Sequence, residues 1–406
     1  MPLSPARFSL PRRRFLGAAG AAALAVSPLA GAALAVSPAG ALRLGVVLPK
    51  STRYPQLADQ LLGGFEAFAT SPRARSGRAI ALVPIACESG ARAPFLAAGE
   101  AVKNGRVDML AGLVDRNQAC RMAPLLEERG VPFVVCDMGA DIARVRRESP
   151  QVVRNSLGYW QSSYAMGQWA PAHLGARVLI ATDFLESGYD MVYAFRQAFE
   201  AAGGEVAGVK VTGLPDGSGA FSEVAEAMRS LRPDFVYAFY SGRRAEAFLR
   251  FYVGEQLSSV APLAGAGLLT DAATLASLPR GSEGVITVST WATDLQGPEN
   301  AELRAAYRRV RGAEPSPFAV LGYETAQRIA SGLAHTAWIG PRGAVVACEA
   351  MCDTSSPVYL RRVARTPSGL ANVTTARLPA VEVPEATGRA MRAMIKTGWA
   401  QAYLAA

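Results

Sequence analysis

Four polar residues stand together in the stretch AGLVDRNQACRMAPLL, residues 111–126, where an apolar run passes through Asp115, Arg116, Asn117 and Gln118 into a helical pattern. An arginine and two amides at such a junction suit an anion, because free N–H groups at a helix start favour negative charge and a guanidinium adds a two-pronged partner. The same residues also make an ordinary solvated loop with a helix cap, so both readings stand for the loop taken alone. Catalytic chemistry finds little support. There is no P-loop, no Gly-x-Ser-x-Gly and no His-Glu-x-x-His, and the two histidines stand alone. His173 reads as a helix terminus and His335 as a helix residue. No enzyme, cofactor or metal is therefore expected. The five cysteines, Cys87, Cys120, Cys136, Cys348 and Cys352, lack zinc-site spacing with histidine. In an oxidising compartment they can pair, and an odd number leaves at least one thiol over.

The chain that must position these residues has 406 of them, a length that suits two domains. Half are hydrophobic and 18% charged, which fits a globular protein and excludes wholesale disorder. The formal charge of +9 invites a nucleic-acid reading, but Arg7, Arg12, Arg13 and Arg14 lie in the first 41 residues with no acid among them, so without that segment the charge is +5. The remaining basic residues are dispersed among acids, and no nucleic-acid partner is expected. The leading segment itself joins a basic cluster, an Ala/Gly/Leu run and small-residue sites such as 33–35 and 39–41, the pattern of an export signal. Arg12-Arg13-Arg14-Phe15-Leu16 is similar to the twin-arginine signal. The run 15–36 is long enough to anchor in a membrane, but its Ala, Gly and Pro content favours export, with the mature chain beginning between Val36 and Leu42.

From residue 42 apolar runs alternate with helical patterns. LRLGVVL (42–48), AIALVPI (79–85), VDMLAGL (107–113) and VPFVV (131–135) read as buried strands, with helices over 56–69, 94–103 and from the opening loop to 128. A second series, ARVLIAT (176–182), EVAGVKV (205–211), DFVYAFY (234–240) and APLAGAG (261–267), alternates with helices over 188–201, 220–231 and 243–253. EGVITVST (283–290) leads to helices over 299–310 and 317–334, and PVYLRRV and NVTTARL around Pro367-Ser368-Gly369 read as a hairpin. Short strands joined by helices pair in parallel, so the expected fold is α/β, with two doubly wound parallel-sheet lobes and a cleft between them.

The order of these segments resembles the type I periplasmic solute-binding proteins of ABC importers, the Leu/Ile/Val-binding protein-like group that takes branched-chain amino acids, amides and aromatic acids. The resemblance spans nearly the whole mature chain. It rests on RLGVVLP, GGFEAF, IACES, EERGVPFVV, VVRNS, FRQAFEAAGGEV, LRPDFVYAFYSG, SEGVITVSTW and AVLGYETAQRI. It implies three hinge crossovers, with the signal over 1–41, lobe I over 42–155 and 289–342, lobe II over 156–288 and 343–379, and a helical tail over 380–406. It also implies a periplasmic monomer that captures a small organic ligand in the cleft and presents the closed form to an inner-membrane ABC permease. A ligand-sensing receptor of the same fold, an amide sensor or the partner of a sensor kinase, is the rival function.

In the family's amino acid binders the loop after the third strand is a Ser/Thr cluster that holds the ligand carboxylate, and Arg116, Asn117 and Gln118 occupy those positions here. The resemblance adds the 136–139 loop, with Asp137 and Gly139, and from lobe II the 184–189 loop, with Ser187 and Tyr189, then Tyr240 and Ser241, and the stretch 266–269. Trp160 and Trp291 flank the hinges. The family's lobe II acid, which pairs with a ligand ammonium, is expected at 266–269, where AGLL supplies none, so Asp115 or Asp137 would have to substitute. Unpaired, a buried ammonium is costly. The ligand is therefore expected to carry a carboxylate and to be aromatic or amino acid-like. A family disulfide would place Cys87 against position 115, with Cys120 about a turn beyond; Cys348 and Cys352, four apart, are the other candidate pair, leaving Cys136 free.

Overall fold

The computed structural model describes residues 40–76, 78–142, 149–278, 281–348, 353–379, 381, 383–393 and 402–405. The export signal expected over 1–41 falls almost wholly outside the described residues, as does Cys352. Seven apolar residues in LRLGVVLP make β1 (Leu42–Pro49), buried along nearly its whole length as a central strand must be. It is followed by α1 (Leu57–Ala69), β2 (Ile80–Cys87), α2 (Arg92–Lys103), β3 (Met109–Gly112), α3 (Arg116–Arg121), α4 (Ala123–Arg129), β4 (Phe133–Asp137) and β5 (Val152–Ser156). These five strands form one sheet in the order β2-β1-β3-β4-β5, all parallel. The single helix expected after β3 is split at Met122. Pro124 lies at the start of α4, where its missing N–H costs nothing, whereas inside a continuous helix it would break a bond to Cys120.

The second lobe follows with α5 (Tyr159–His173), β6 (Arg177–Asp183), α6 (Asp190–Ala201), β7 (Glu205–Thr212), α7 (Phe221–Leu231), β8 (Phe235–Phe239), α8 (Gly242–Gly254), β9 (Leu263–Ala266), α9 (Ala272–Ser277) and β10 (Ile286–Ser289). The chain then returns to the first lobe as α10 (Pro298–Arg311) and α11 (Pro317–Ser331), which pack on α1. His335 lies in the turn beyond α11 rather than on it, because Gly332 at φ +93° stops that helix; His173 does end α5.

Next come β11 (Ala337–Gly340), β12 (Gly343–Cys348) and β13 (Asp353–Ser355), then β14 (Val358–Thr366), β15 (Gly369–Leu378) and α12 (Glu385–Ala393). The large second sheet runs β15-β14-β10-β9-β8-β6-β7, parallel except where the β14–β15 hairpin joins antiparallel to β10. The expected return to lobe II at residue 343 is corrected. β11, β12 and β13 make a small antiparallel sheet of their own that rides on lobe I: Gln327 donates to the Ile339 carbonyl at 2.9 Å, and Thr354 Oγ1 donates to the Ser156 carbonyl at 2.6 Å beside β5. The third crossing therefore falls between Ser355 and Val358. Among the described residues no helix is long and apolar enough to cross a membrane.

The first lobe is held by glycines. A Cβ on Gly64 of α1 would run into the Ala319 carbonyl, and one on Gly322 of α11 into the Leu61 carbonyl, so the two helices touch backbone to backbone. Gly322→Ala must push them apart and is expected to lower the unfolding free energy by about 1–3 kcal/mol, read by urea denaturation. An unchanged midpoint would show that the two helices part without cost.

Candidate functional site

Strand ends build the cleft. After β1, Ser51 Oγ accepts the Tyr54 N–H at 2.9 Å, and this turn sends Arg53 and Tyr54 toward the second lobe. Arg53 meets Asp183, at the end of β6, at 2.5 Å, while Arg244 holds the same carboxylate from α8 at 2.8 Å. Tyr54 faces Asp271, which caps α9 by accepting the Thr274 N–H at 2.6 Å. Burial first, and then that carboxylate, push the Tyr54 phenol far above its ordinary range. At the hinge side the Met191 N–H donates to the Ala140 carbonyl at 2.9 Å and the Ile142 N–H to Asp190 at 2.9 Å. Gly242, at φ +53°, lies so close to the Arg53 carbonyl that a Cβ would collide with it. Across these contacts the two lobes are closed on one another.

Inside the closed cleft, Glu186 sits in the loop between β6 and α6 with 1% of its surface exposed. Ser241 donates to one carboxylate oxygen, and the Tyr403 hydroxyl to the other at 2.6 Å. The Tyr403 ring stands edge-on to Tyr189 at 4.9 Å between centroids and to Tyr159 at 6.3 Å. Burial pushes the Glu186 carboxyl up to about 7, opposed by the two hydroxyls. Glu186 lies in the 184–189 loop expected from sequence without being singled out there, and Tyr403 is not among the expected residues. Glu186 puts a buried acid on the second-lobe side of the cleft, in the loop before α6, where the stretch 266–269 has none. The tail expected to be helical over 380–406 is helical over Glu385–Ala393, whereas residues 402–405 form a turn within the cleft.

Ser241 and Tyr189 are thus brought together around Glu186 and Tyr403. Ser187, on the same loop, turns its hydroxyl back to the Phe184 carbonyl at 2.7 Å and serves the loop. Asp137 is engaged by Arg154 at 2.6 Å and accepts the Gly139 N–H at 2.6 Å, so it cannot substitute as a free acid. Gly139, at φ +70°, passes so close to Gly158 and Ser156 that only glycine fits. Tyr240 is a correction: its ring stacks on Phe248 at 4.3 Å and its hydroxyl meets Thr212 at 3.1 Å, inside the second lobe's core. Trp160 lies apart from the Glu186–Tyr403 contact, in a hinge-side cavity of about 350 Å³ under α12 with Gln161, Val383 and Met391. Trp291, its indole N–H on Asn300 at 2.9 Å, lines a crevice of about 990 Å³ on the other side with Tyr54, Asp271 and Arg361. Arg361, unmarked in the sequence, is buried there and donates to the Gly267 carbonyl at 2.6 Å; burial pulls its guanidinium down to about 10.

In the opening loop, Gln118 is half-buried and its N–H donates to Asp115 at 3.3 Å. The side chains of Arg116 and Asn117 lie outside the described residues, as does that of Cys348. Cys87 is a free thiol, so the expected bridge to Cys120 is not formed. Cys87 ends edge strand β2, two strands from β3, and Cys120 is carried a further turn along α3, whereas a disulfide needs Cα atoms within about 7 Å. Cys136 is free and buried, 3.4 Å from the Thr325 hydroxyl on α11, and burial pushes its thiol up to about 12.

Two parallel-sheet lobes joined by three crossings, with Arg53–Asp183 and the Glu186–Ser241–Tyr403 cluster in the cleft between them, define a binding protein of the type I bilobed class. The chain belongs to the periplasmic binding protein family, whose model matches residues 41–358. It is 29% identical over 299 residues to Leu/Ile/Val-binding protein homolog 6 of Brucella abortus, covering 69% of this chain and 75% of that one. Among solved structures it is similar to an ABC transporter solute-binding protein of R. palustris in complex with benzoate, at 27% identity and TM-score 0.68, covering 86% of this chain and 99% of the other. A solute-binding protein of Rhodopseudomonas palustris HaA2 in complex with p-hydroxybenzoic acid shares the fold at 23% identity and TM-score 0.71, covering 84% and 97%.

Proposed function

We propose that this chain is the solute-binding component of an ABC importer and closes its lobes on a small aromatic carboxylate. The observation that carries the reading is the slot between Tyr159 and Tyr189 that the Tyr403 ring fills, with the Glu186–Ser241 pair at its end as hydrogen-bonding partner for a ring hydroxyl. Pockets of this kind, apolar walls with few polar groups, bind small molecules. The benzoate and p-hydroxybenzoic acid held by similar proteins support the ligand class. In this reading residues 1–41 direct export through the twin-arginine signal and are removed, the mature chain is a periplasmic monomer, and the closed face docks on an inner-membrane permease without catalysis.

Thermal-shift screening against aromatic acids, amino acids, short carboxylates and amides tests the class, since a ligand at 100 times its dissociation constant adds about 2.7 kcal/mol. Aromatic acids are expected to raise the melting temperature most; a best ligand with neither ring nor carboxylate would overturn the reading. Arg116 is assigned to the carboxylate. Arg116→Ala then loses a charge-assisted hydrogen bond, about 1.5–3 kcal/mol or about 10- to 150-fold in affinity, with little change in fold stability. Equal affinities in calorimetric titration would reduce Arg116 to a solvated cap.

A further inference from the structure

The segment 402–405 is more deeply buried than the helix that precedes it. Tyr403, Leu404 and Ala405 are 6%, 4% and 1% exposed, whereas most of α12 faces solvent. The segment is held from both lobes: the Gly90 N–H of the first donates to the Ala405 carbonyl at 3.0 Å, and Glu186 of the second accepts the Tyr403 hydroxyl at 2.6 Å. It closes into a turn through the Ala405 N–H and the Ala402 carbonyl at 2.9 Å. Leu404 lies at φ +68°, a left-handed conformation that a side chain other than glycine keeps only where its surroundings impose it. With one hydroxyl, no charge and a ring, the segment has the chemistry of the slot it fills.

We infer that residues 402–405 are a built-in occupant of the ligand cleft, with Tyr403 seated where a hydroxylated aromatic ligand would lie, so that free ligand and this segment compete for Glu186 and Ser241. The inference rests on the reading of this cleft as the ligand site. A chain whose cleft is filled for part of the time binds with an affinity reduced by the fraction that is vacant. It also has closed lobes without ligand, so the segment sets the threshold concentration at which ligand is taken up. The four lobe-closing contacts at Arg53, Tyr54, Ala140 and Ile142 do not involve the segment and remain available to either occupant.

The test uses the full chain, its Tyr403→Ala and Tyr403→Phe variants, and two probes: p-hydroxybenzoic acid, and a synthetic peptide of residues 402–406, Ala-Tyr-Leu-Ala-Ala. Calorimetry is expected to show p-hydroxybenzoic acid binding Tyr403→Ala at least about 10-fold more tightly than the unaltered chain, with Tyr403→Phe between them because it keeps the ring and loses the Glu186 hydrogen bond. The peptide is expected to bind Tyr403→Ala and be displaced by p-hydroxybenzoic acid, and to bind the unaltered chain at least about 10-fold less. If the peptide binds Tyr403→Ala while no aromatic acid binds any form, occupancy of the cleft stands and the ligand class falls. If p-hydroxybenzoic acid binds all three forms equally and the peptide binds none, the ligand class stands and the inference is overturned.

Discussion

Arg342→Met is expected to destabilise the protein by about 3–5 kcal/mol in denaturant unfolding, the largest single effect anticipated outside the cleft. Arg342, between β11 and β12, meets Glu324 of α11 at 2.8 Å, and neither side chain has any exposed surface. It also donates to Ser356 at 3.0 Å and accepts from Tyr359 at 3.0 Å through its carbonyl, so it binds the last crossing to the first lobe. Burial pushes the Glu324 carboxyl up, and the guanidinium is what opposes that shift. Take the guanidinium away and a carboxylate is left buried without compensation. Glu324→Gln combined with Arg342→Met should recover much of the loss, because the charge that had no partner is gone. A single variant within about 1 kcal/mol of the unaltered chain would mean that water reaches Glu324.

The second large effect is a slope in stability against pH. Glu186 is held up to about 7 by burial, with Asp183 adding to the rise and Ser241, Tyr403 and Arg53 opposing it. The folded chain therefore binds this proton more tightly than the unfolded chain does, so the stability it contributes is present at acid pH and is lost as pH rises through about 7. Between about pH 4 and 8 this term alone removes roughly 3 kcal/mol. Other carboxylates, Asp108 and Glu302 among them, are held low by arginines and slope the opposite way, so the useful quantity is the difference between the unaltered chain and Glu186→Gln. That difference should change by up to about 3 kcal/mol across the range. Parallel pH profiles would show that Glu186 ionises as if in water.

The alternation of apolar runs and helical patterns was legible because buried parallel strands need near-continuous apolar side chains, as in β1 and β8. It located every strand of both large sheets to within a few residues except β5, whose VVRNS reads as the first hinge. The small sheet was not legible: β12 reads like any apolar strand, and only its contacts with α11 and β5 place it on the first lobe. Tyr240 was expected as a ligand contact, although the strand period points the other way. Tyr240 continues the face of Val236 and Ala238, which packs against α8, whereas Phe235, Tyr237 and Phe239 face α6. Asp137 reads as available because its partner Arg154 lies a strand away, and nothing local separates Glu186 from Ser187 and Tyr189 on the same loop. Tyr403 gave no local signal at all, since the contact that defines it joins residues 217 apart.

The glycine contact between α1 and α11 also bears on how the chain folds. Everything from Thr70 to Gly297 lies between the first helix of the first lobe and the two later helices that cover it, and that interval includes every parallel strand of the second lobe. The first lobe's hydrophobic face therefore stays uncovered until synthesis has passed Ser331, while the second lobe can already pair β6 to β10. Contacts of such sequence separation require a large loop to close before any packing rewards it, which slows folding of the first lobe. An unfinished chain ending before Pro298 would expose Leu61, Phe65 and Phe68, the apolar residues that α10 and α11 bury, and would be a substrate for chaperones or aggregation rather than a stable half-protein.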